Sequence, residues 1–275
     1  PNEPFAYRRT GIDSSNAEGE ACLFFNKPVA ANDTVKYADY VRITPEARSA
    51  VRPVDDKLCI AGLAYGQDYA VRLLPGLPAK DGSKLAEEQK IDLALGARPA
   101  VVSLPGKGFI LPRGEAAGLP ITTINVGQVG VAVFRVNERG LDKFAADRWD
   151  ATFPGKEPVA SSWSLRQWLN GQNGTQLWRG KMEVRNALNQ SVTTAFPIRE
   201  AIKDWAPGAY FVVAWNAAQP PSGVGDDEEE SPTGAMSGMW VIDTDIALTT
   251  FTGRDGLDVY ARSLGSARPL GNLEV

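Results

Sequence analysis

Two cysteines are the residues of this sequence with the most specific chemistry. Cys22 and Cys59 are 37 positions apart, and each lies in a short apolar run typical of a strand. We expect a disulfide between neighbouring strands, formed in an oxidising compartment such as the periplasm. Closing a loop of this size stabilises a fold by about 4 kcal/mol on the chain-entropy model. The alternative is two buried free thiols that pack as small apolar residues.

Histidine is absent from the whole sequence. Its absence excludes Ser-His-Asp and Cys-His nucleophile systems and most zinc sites from this chain. Aspartate and glutamate pairs occur, but none can be picked as a glycosidase pair. We therefore expect no enzyme activity, no cofactor and no metal site here.

The charge pattern argues against nucleic acid as the main partner, because the formal net charge is −4 and no basic patch stands out. Five consecutive acidic residues, at positions 226–230, lie inside a Pro- and Gly-rich stretch, 219–234. Adjacent like charges repel one another and resist packing, so we interpret this stretch as a surface loop. The run lacks the alternating acidic spacing of a calcium loop.

Seven tryptophans fall into two groups. Trp178, Trp215 and Trp240 lie inside strand-like runs, which favours packing in a core. The others lie in or beside stretches of helical spacing. Three of these, in the region 137–174, form a candidate exposed aromatic set that could stack on sugar rings: Trp149, Trp163 and Trp168.

Short alternating apolar runs punctuated by Gly and Pro predict an all-β chain of antiparallel, immunoglobulin-like sandwiches. Residues Val129–Val136 are apolar on both faces and predict a central strand covered on two sides. The short connection Asn125–Gln128 predicts a hairpin between this strand and the preceding one, Leu119–Val126.

The expected organisation begins with a polar tail and ends in an incomplete domain. We predict a flexible tail at 1–15 and a first sandwich at 16–97. A second domain follows at 98–243, and it contains a small helical insertion at about 137–174 and an acidic loop at about 219–234. Residues 244–275 are predicted to be the start of a third domain.

Several stretches, taken together and in order, resemble the amino-terminal part of a bacterial alpha-2-macroglobulin. They form a strand-and-turn pattern without a catalytic signature. The stretches are Gly62–Gly66 with Tyr69–Pro78, Gly108–Arg113, Leu119–Val126, Leu177–Gly180, Thr194–Ile198, Pro207–Tyr210, Trp240–Thr249, and Gly256–Leu264 with Arg268–Leu270.

The resemblance implies tandem macroglobulin-like sandwiches in a periplasmic inhibitor whose full-length form traps proteases after they cut a bait segment. The Cys-Leu-Glu-Gln thioester motif of some members does not occur here. A cell-envelope protein is a further expected partner, and any membrane anchor would lie outside these residues. The alternative function is a cell-surface adhesin or carbohydrate-binding module that uses the aromatic set.

Overall fold

The computed structural model describes residues 3–14, 16–31, 35–105, 109–111, 118–141, 173–219, 235–254 and 256–273. The chain forms two compact units. The first unit comprises Pro1–Pro99 and Leu188–Gln190, and the second comprises Ala100–Ala187 and Ser191–Val275. Strands dominate the described residues of both units, so the all-β prediction is confirmed. None of the described helices has the length and apolar character needed to cross a membrane.

The first unit is a two-sheet sandwich. Its sheets have the orders β1-β2-β5-β4 and β3-β6-β7, and every pairing is antiparallel. The strands are β1 (Tyr7–Asp13), β2 (Gly19–Phe25), β3 (Val41–Thr44), β4 (Ala50–Val54), β5 (Lys57–Leu63), β6 (Gln67–Leu73) and β7 (Gln89–Leu95).

The core of the first unit lies between the two sheets and follows from the period of two along each strand. The alternate residues Tyr69, Val71 and Leu73 of β6 are buried, as the sequence predicts. Leu23 and Ile60 face them from the four-stranded sheet and have no exposed surface. The residues between these positions point outward.

The predicted tail at 1–15 is wrong for most of its described length. Residues Tyr7–Asp13 form β1, an edge strand that pairs with β2. Phe5 is only 2% exposed and stacks on Phe25, with their ring centroids 4.9 Å apart. The segment contains no alternating apolar run because an edge strand can be held mainly by backbone pairing, and here Phe5 and Tyr7 are the apolar side chains that pack against the core.

The second unit contains a five-stranded sheet, β12-β11-β14-β15-β9, and a three-stranded sheet, β13-β10-β8. A further antiparallel hairpin, β16-β17, follows them. The strands are β8 (Val101–Ser103), β9 (Phe109–Leu111), β10 (Leu119–Ile124), β11 (Gln128–Val136), β12 (Gly174–Glu183), β13 (Ser191–Phe196), β14 (Gly208–Asn216), β15 (Met236–Asp243), β16 (Ile246–Gly253) and β17 (Gly256–Ser263).

Strand β11 is buried on both faces, which confirms the prediction from its sequence. Val129, Val131 and Val133 belong to the core that faces the three-stranded sheet. Ala132 and Val136 belong to a separate buried cluster on the opposite face, with Phe211, Trp215 and Trp240 among its other members.

The predicted hairpin through Asn125–Gln128 is wrong. Strand β10 pairs with β8 and β13, whereas β11 pairs with β12 and β14, so this connection leads from one sheet to the other. Asn125 has a positive φ of 53°, which turns the chain sharply at this point. A short turn between two apolar runs does not distinguish a hairpin from a passage between sheets.

The domain boundaries stay predictions. Residues 138–141 form a helical turn at the start of the predicted insertion, and the Asn137 side chain caps it by accepting a hydrogen bond from the Gly140 N–H at 2.9 Å. Most of the insertion, at 142–172, and the acidic loop, at 220–234, lie outside the described residues.

Replacing Gly130 by alanine should destabilise the second unit by about 1–3 kcal/mol, because the added methyl would overlap the indole ring of Trp215. All seven tryptophans lie in the second unit, so tryptophan fluorescence during urea unfolding reports on this unit alone. Gly253→Ala is the matched control, since a methyl at this strand glycine meets no atom within 4 Å. Equal midpoints for the two variants would contradict the packing described.

Candidate functional site

Cys22 and Cys59 form a disulfide on the outward face of the four-stranded sheet in the first unit. The two residues are directly opposite each other in the pairing of β2 with β5, and their Cα atoms are 4.0 Å apart. Their chain neighbours Leu23 and Ile60 point into the core. The predicted disulfide is confirmed, and the alternative of two free thiols is wrong.

Charged and aromatic side chains flank the disulfide along the same face. Glu20 accepts a hydrogen bond from Arg52 at 2.8 Å on one side. On the other side, the Arg9 guanidinium lies 3.8 Å from the ring centroid of Phe24, and the Lys57 ammonium lies 5.3 Å from it. Cys59 itself is 1% exposed, and Cys22 is partly buried.

One group of atoms near the disulfide has the composition of a metal site but not its chemistry. A carboxylate oxygen of Glu20 and the sulfur atoms of Cys22 and Cys59 lie within 4.8 Å of one another. Cysteine binds metals as a thiolate, and both sulfurs are committed to the disulfide. Glu20 is already paired with Arg52. The group is therefore structural in this state.

The second cluster surrounds Asp243, at the end of β15, where the chain leaves the five-stranded sheet. Asp243 is only 4% exposed. Arg199 donates a hydrogen bond to its Oδ1 atom at 2.9 Å, and the Trp205 indole N–H donates to Oδ2 at 2.7 Å. Both carboxylate oxygens are thus bonded, and the buried negative charge is paired with a cation.

Trp205 and Tyr210 extend this cluster towards β14. Their rings stack with centroids 4.0 Å apart and planes inclined by 12°. The Tyr210 hydroxyl donates to the Ala206 carbonyl and accepts from the Ala206 N–H, the arrangement of a tyrosine corner. Burial raises the pKa of Tyr210, whereas its bond to Ala206 and the charge of Arg135 act in the opposite direction.

The Asp243 cluster was not predicted from the sequence. Arg199 and Asp243 are separated by 44 positions, and a lone acid at a strand end is an ordinary surface residue. The helical turn Ile198–Ala201 presents Arg199 to the carboxylate. The available signal was the Pro-Gly turn at Pro207 followed by Tyr210, which is typical of a tyrosine corner.

The predicted aromatic set, Trp149, Trp163 and Trp168, lies outside the described residues. The other predicted tryptophans are where the sequence places them: Trp215 and Trp240 are buried, and Trp178 packs against the core, with its ring centroid 5.1 Å from that of Phe196. Neither cluster contains a nucleophile with an adjacent base. Both lock strands and turns together.

Comparison with known proteins agrees with this architecture. Residues 103–221 match the family model of the bacterial alpha-2 macroglobulin MG2 domain. The alpha-2-macroglobulin of Xylella fastidiosa strain 9a5c is 26% identical over 279 residues, which cover 98% of this chain and 16% of the relative. The protein of strain Temecula1 is 25% identical over the same shares.

This chain is similar to the bacterial alpha-2-macroglobulins. The resemblance read from the sequence is confirmed. The fold agrees as well, because the crystal structure of a Salmonella alpha-2-macroglobulin mutant is similar with a TM-score of 0.54 at 16% identity, covering 95% of this chain and 15% of that one. The chain spans about one sixth of the length of the curated relatives that it matches.

Replacing both Cys22 and Cys59 by serine should destabilise the first unit by about 4 kcal/mol or less, because the unfolded chain regains the freedom that the cross-link removes. The urea transition followed by far-UV circular dichroism should then split, with an earlier phase from the first unit. Tryptophan fluorescence, which reports on the second unit, serves as the internal control and should keep its midpoint. A fluorescence midpoint that moves as far as the early phase would contradict this assignment.

Replacing Asp243 by asparagine should lower the stability of the second unit by about 3 kcal/mol, because the half-buried Arg199 loses its counter-charge. The measurement is urea unfolding followed by tryptophan fluorescence. Asp258→Asn is the matched control, since Asp258 is an exposed carboxylate on β17. A shift for Asp243→Asn no larger than the control would show that the cluster contributes little.

Proposed function

We propose that this chain is part of the amino-terminal scaffold of a bacterial alpha-2-macroglobulin-like protease inhibitor. The observation that carries the proposal is the match to an alpha-2-macroglobulin along 98% of the chain, with the MG2 family model on residues 103–221. In this proposal the inhibitory activity belongs to the full-length protein. This chain matches about one sixth of the length of the relative.

The chemistry of the described residues supports a structural role. The polar clusters are ion pairs and hydrogen bonds that fix strand ends, and the cysteines are cross-linked. The whole sequence has no histidine. In this proposal the chain is not an enzyme. It holds the frame in which other parts of the protein capture a protease.

We propose the periplasm as the location of this protein. A disulfide persists in an oxidising compartment, and the periplasm is such a compartment in bacteria. The partners that we propose are proteases, engaged by the full-length protein, and a protein of the cell envelope.

The hairpin β16-β17 supports the proposed start of a third domain. An isolated two-stranded hairpin is marginally stable in water and needs further strands or a packed face. Leu248, Leu257 and Ile246 lie on one face of this hairpin and are each more than one third exposed. In the full-length protein, we propose that this face packs inside the next sandwich.

The protease-trapping role is tested with the full-length protein and trypsin. A trapped protease is shielded from large substrates but still accepts small ones, so cleavage of a folded protein substrate should fall while cleavage of a small chromogenic peptide continues. The 275-residue chain alone is the control and should leave both reactions unchanged. Undiminished cleavage of the large substrate in the presence of the full-length protein would overturn the proposal.

A further inference from the structure

Strand β12 forms an open edge of the five-stranded sheet in the second unit. Among the described strands it pairs only with β11. It is ten residues long, and residues Trp178–Glu183 follow an unbroken register with Gln128–Val133. An edge strand of this kind presents alternate N–H and C=O groups that another extended segment can pair with.

The surface beside this edge is basic, although the chain as a whole carries a net charge of −4. Arg179, Lys181 and Arg185 are exposed along and just beyond β12. Glu183 is the acid of this strand, and its carboxylate accepts a hydrogen bond from Gln128 at 2.6 Å. The strand therefore favours a partner of negative charge.

A cavity opens next to the same strand, at the bulge that precedes the regular stretch. Leu177 is the extra residue of this bulge and is 37% exposed. Together with the segment after β13 it lines a cavity of about 300 Å³, whose other lining residues are Ala201, Ile202, Lys203 and Asp204. Lys203 and Asp204 place one exposed cation and one exposed carboxylate at this cavity, so the excess of positive charge comes from β12 and Arg185. Leu177, Ala201 and Ile202 form the apolar part of the lining, which can receive an apolar side chain.

We propose that β12 is a docking edge for an extended acidic peptide segment of another protein. The segment adds to the sheet as an antiparallel or parallel strand, its backbone pairs with the free edge of residues 178–183, and its carboxylates face Lys181, Lys203 and Arg179. One apolar side chain of the segment enters the cavity beside Leu177. This inference is independent of the scaffold function, because it rests on the edge, the charges and the cavity alone.

The competing explanation is that these cations only protect the edge. Charged side chains on edge strands commonly prevent self-association. The two explanations differ in a measurable way: a docking edge binds an added strand, whereas a protected edge excludes it.

The test uses the 275-residue chain and a fluorescein-labelled ten-residue peptide in which glutamate and valine alternate. Fluorescence anisotropy should show saturable binding that weakens as salt is added. The same peptide with alternate residues N-methylated keeps its charges but loses backbone donors, and it should bind at least about tenfold more weakly.

Two charge reversals locate the site. Lys181→Glu and Lys203→Glu should each weaken binding of the unmethylated peptide by about fivefold or more. Lys90→Glu is the matched control, because Lys90 is an exposed lysine on β7, an edge strand of the first unit, and it should leave binding unchanged. Hydrogen exchange should slow on peptide addition at amides within residues 175–183.

Four outcomes would overturn the proposal. They are absence of binding at about 1 mM peptide, equal binding of the N-methylated peptide, an equal loss with Lys90→Glu, and exchange protection elsewhere in the chain. Self-association of Lys181→Glu without peptide binding to the unaltered chain would assign the cations to edge protection instead.

Discussion

The structure of the second unit depends on the burial of β11, β14 and β15 on both faces. A strand covered on two sides must have apolar residues at consecutive positions, and all its backbone groups must pair within the sheet. Strands β11 and β14 meet both conditions, since β11 pairs along its length with β12 and β14, and β14 pairs with β11 and β15. Strand β15 pairs with β14 and, at Val241–Asp243, with β9. The ends of these strands are therefore held in place, as Asp243 shows at the end of β15.

The polar clusters act at the edges of this frame. A buried carboxylate is costly unless it is paired and hydrogen-bonded, and the Arg199 and Trp205 contacts satisfy both oxygens of Asp243. The disulfide has the corresponding role in the first unit, where it joins two strands that already pair. Both clusters hold strands and turns in fixed positions.

Much of the architecture could be predicted from the sequence because period-two alternation directly reports which face of a strand is buried. The strands at Tyr69–Leu73 and Val129–Val136 and the cysteine pair were found in this way. The prediction of strands and of their pairing failed where the alternation of apolar residues is weak, or where the length of a turn fits both a hairpin and a connection between two sheets. Strand β1 is held by backbone pairing and by the side chains of Phe5 and Tyr7. The turn at Asn125 leads between sheets instead of joining two strands of one sheet.

The sequence by itself indicated the fold class and excluded histidine chemistry, because these follow from local pattern and composition. It led us to expect a disulfide between Cys22 and Cys59 but left two free thiols as the alternative, which the structure decided. The tertiary structure alone decided which strands share a sheet, which charges meet and which of the described strands lie at the edge of a sheet. Lys203 and Leu177 are far apart in the chain, as are Arg199 and Asp243, and they meet only because the two sheets stack and bring the ends of distant strands together. Contacts of this kind leave no local signature in the sequence, since each partner taken alone is an ordinary surface residue.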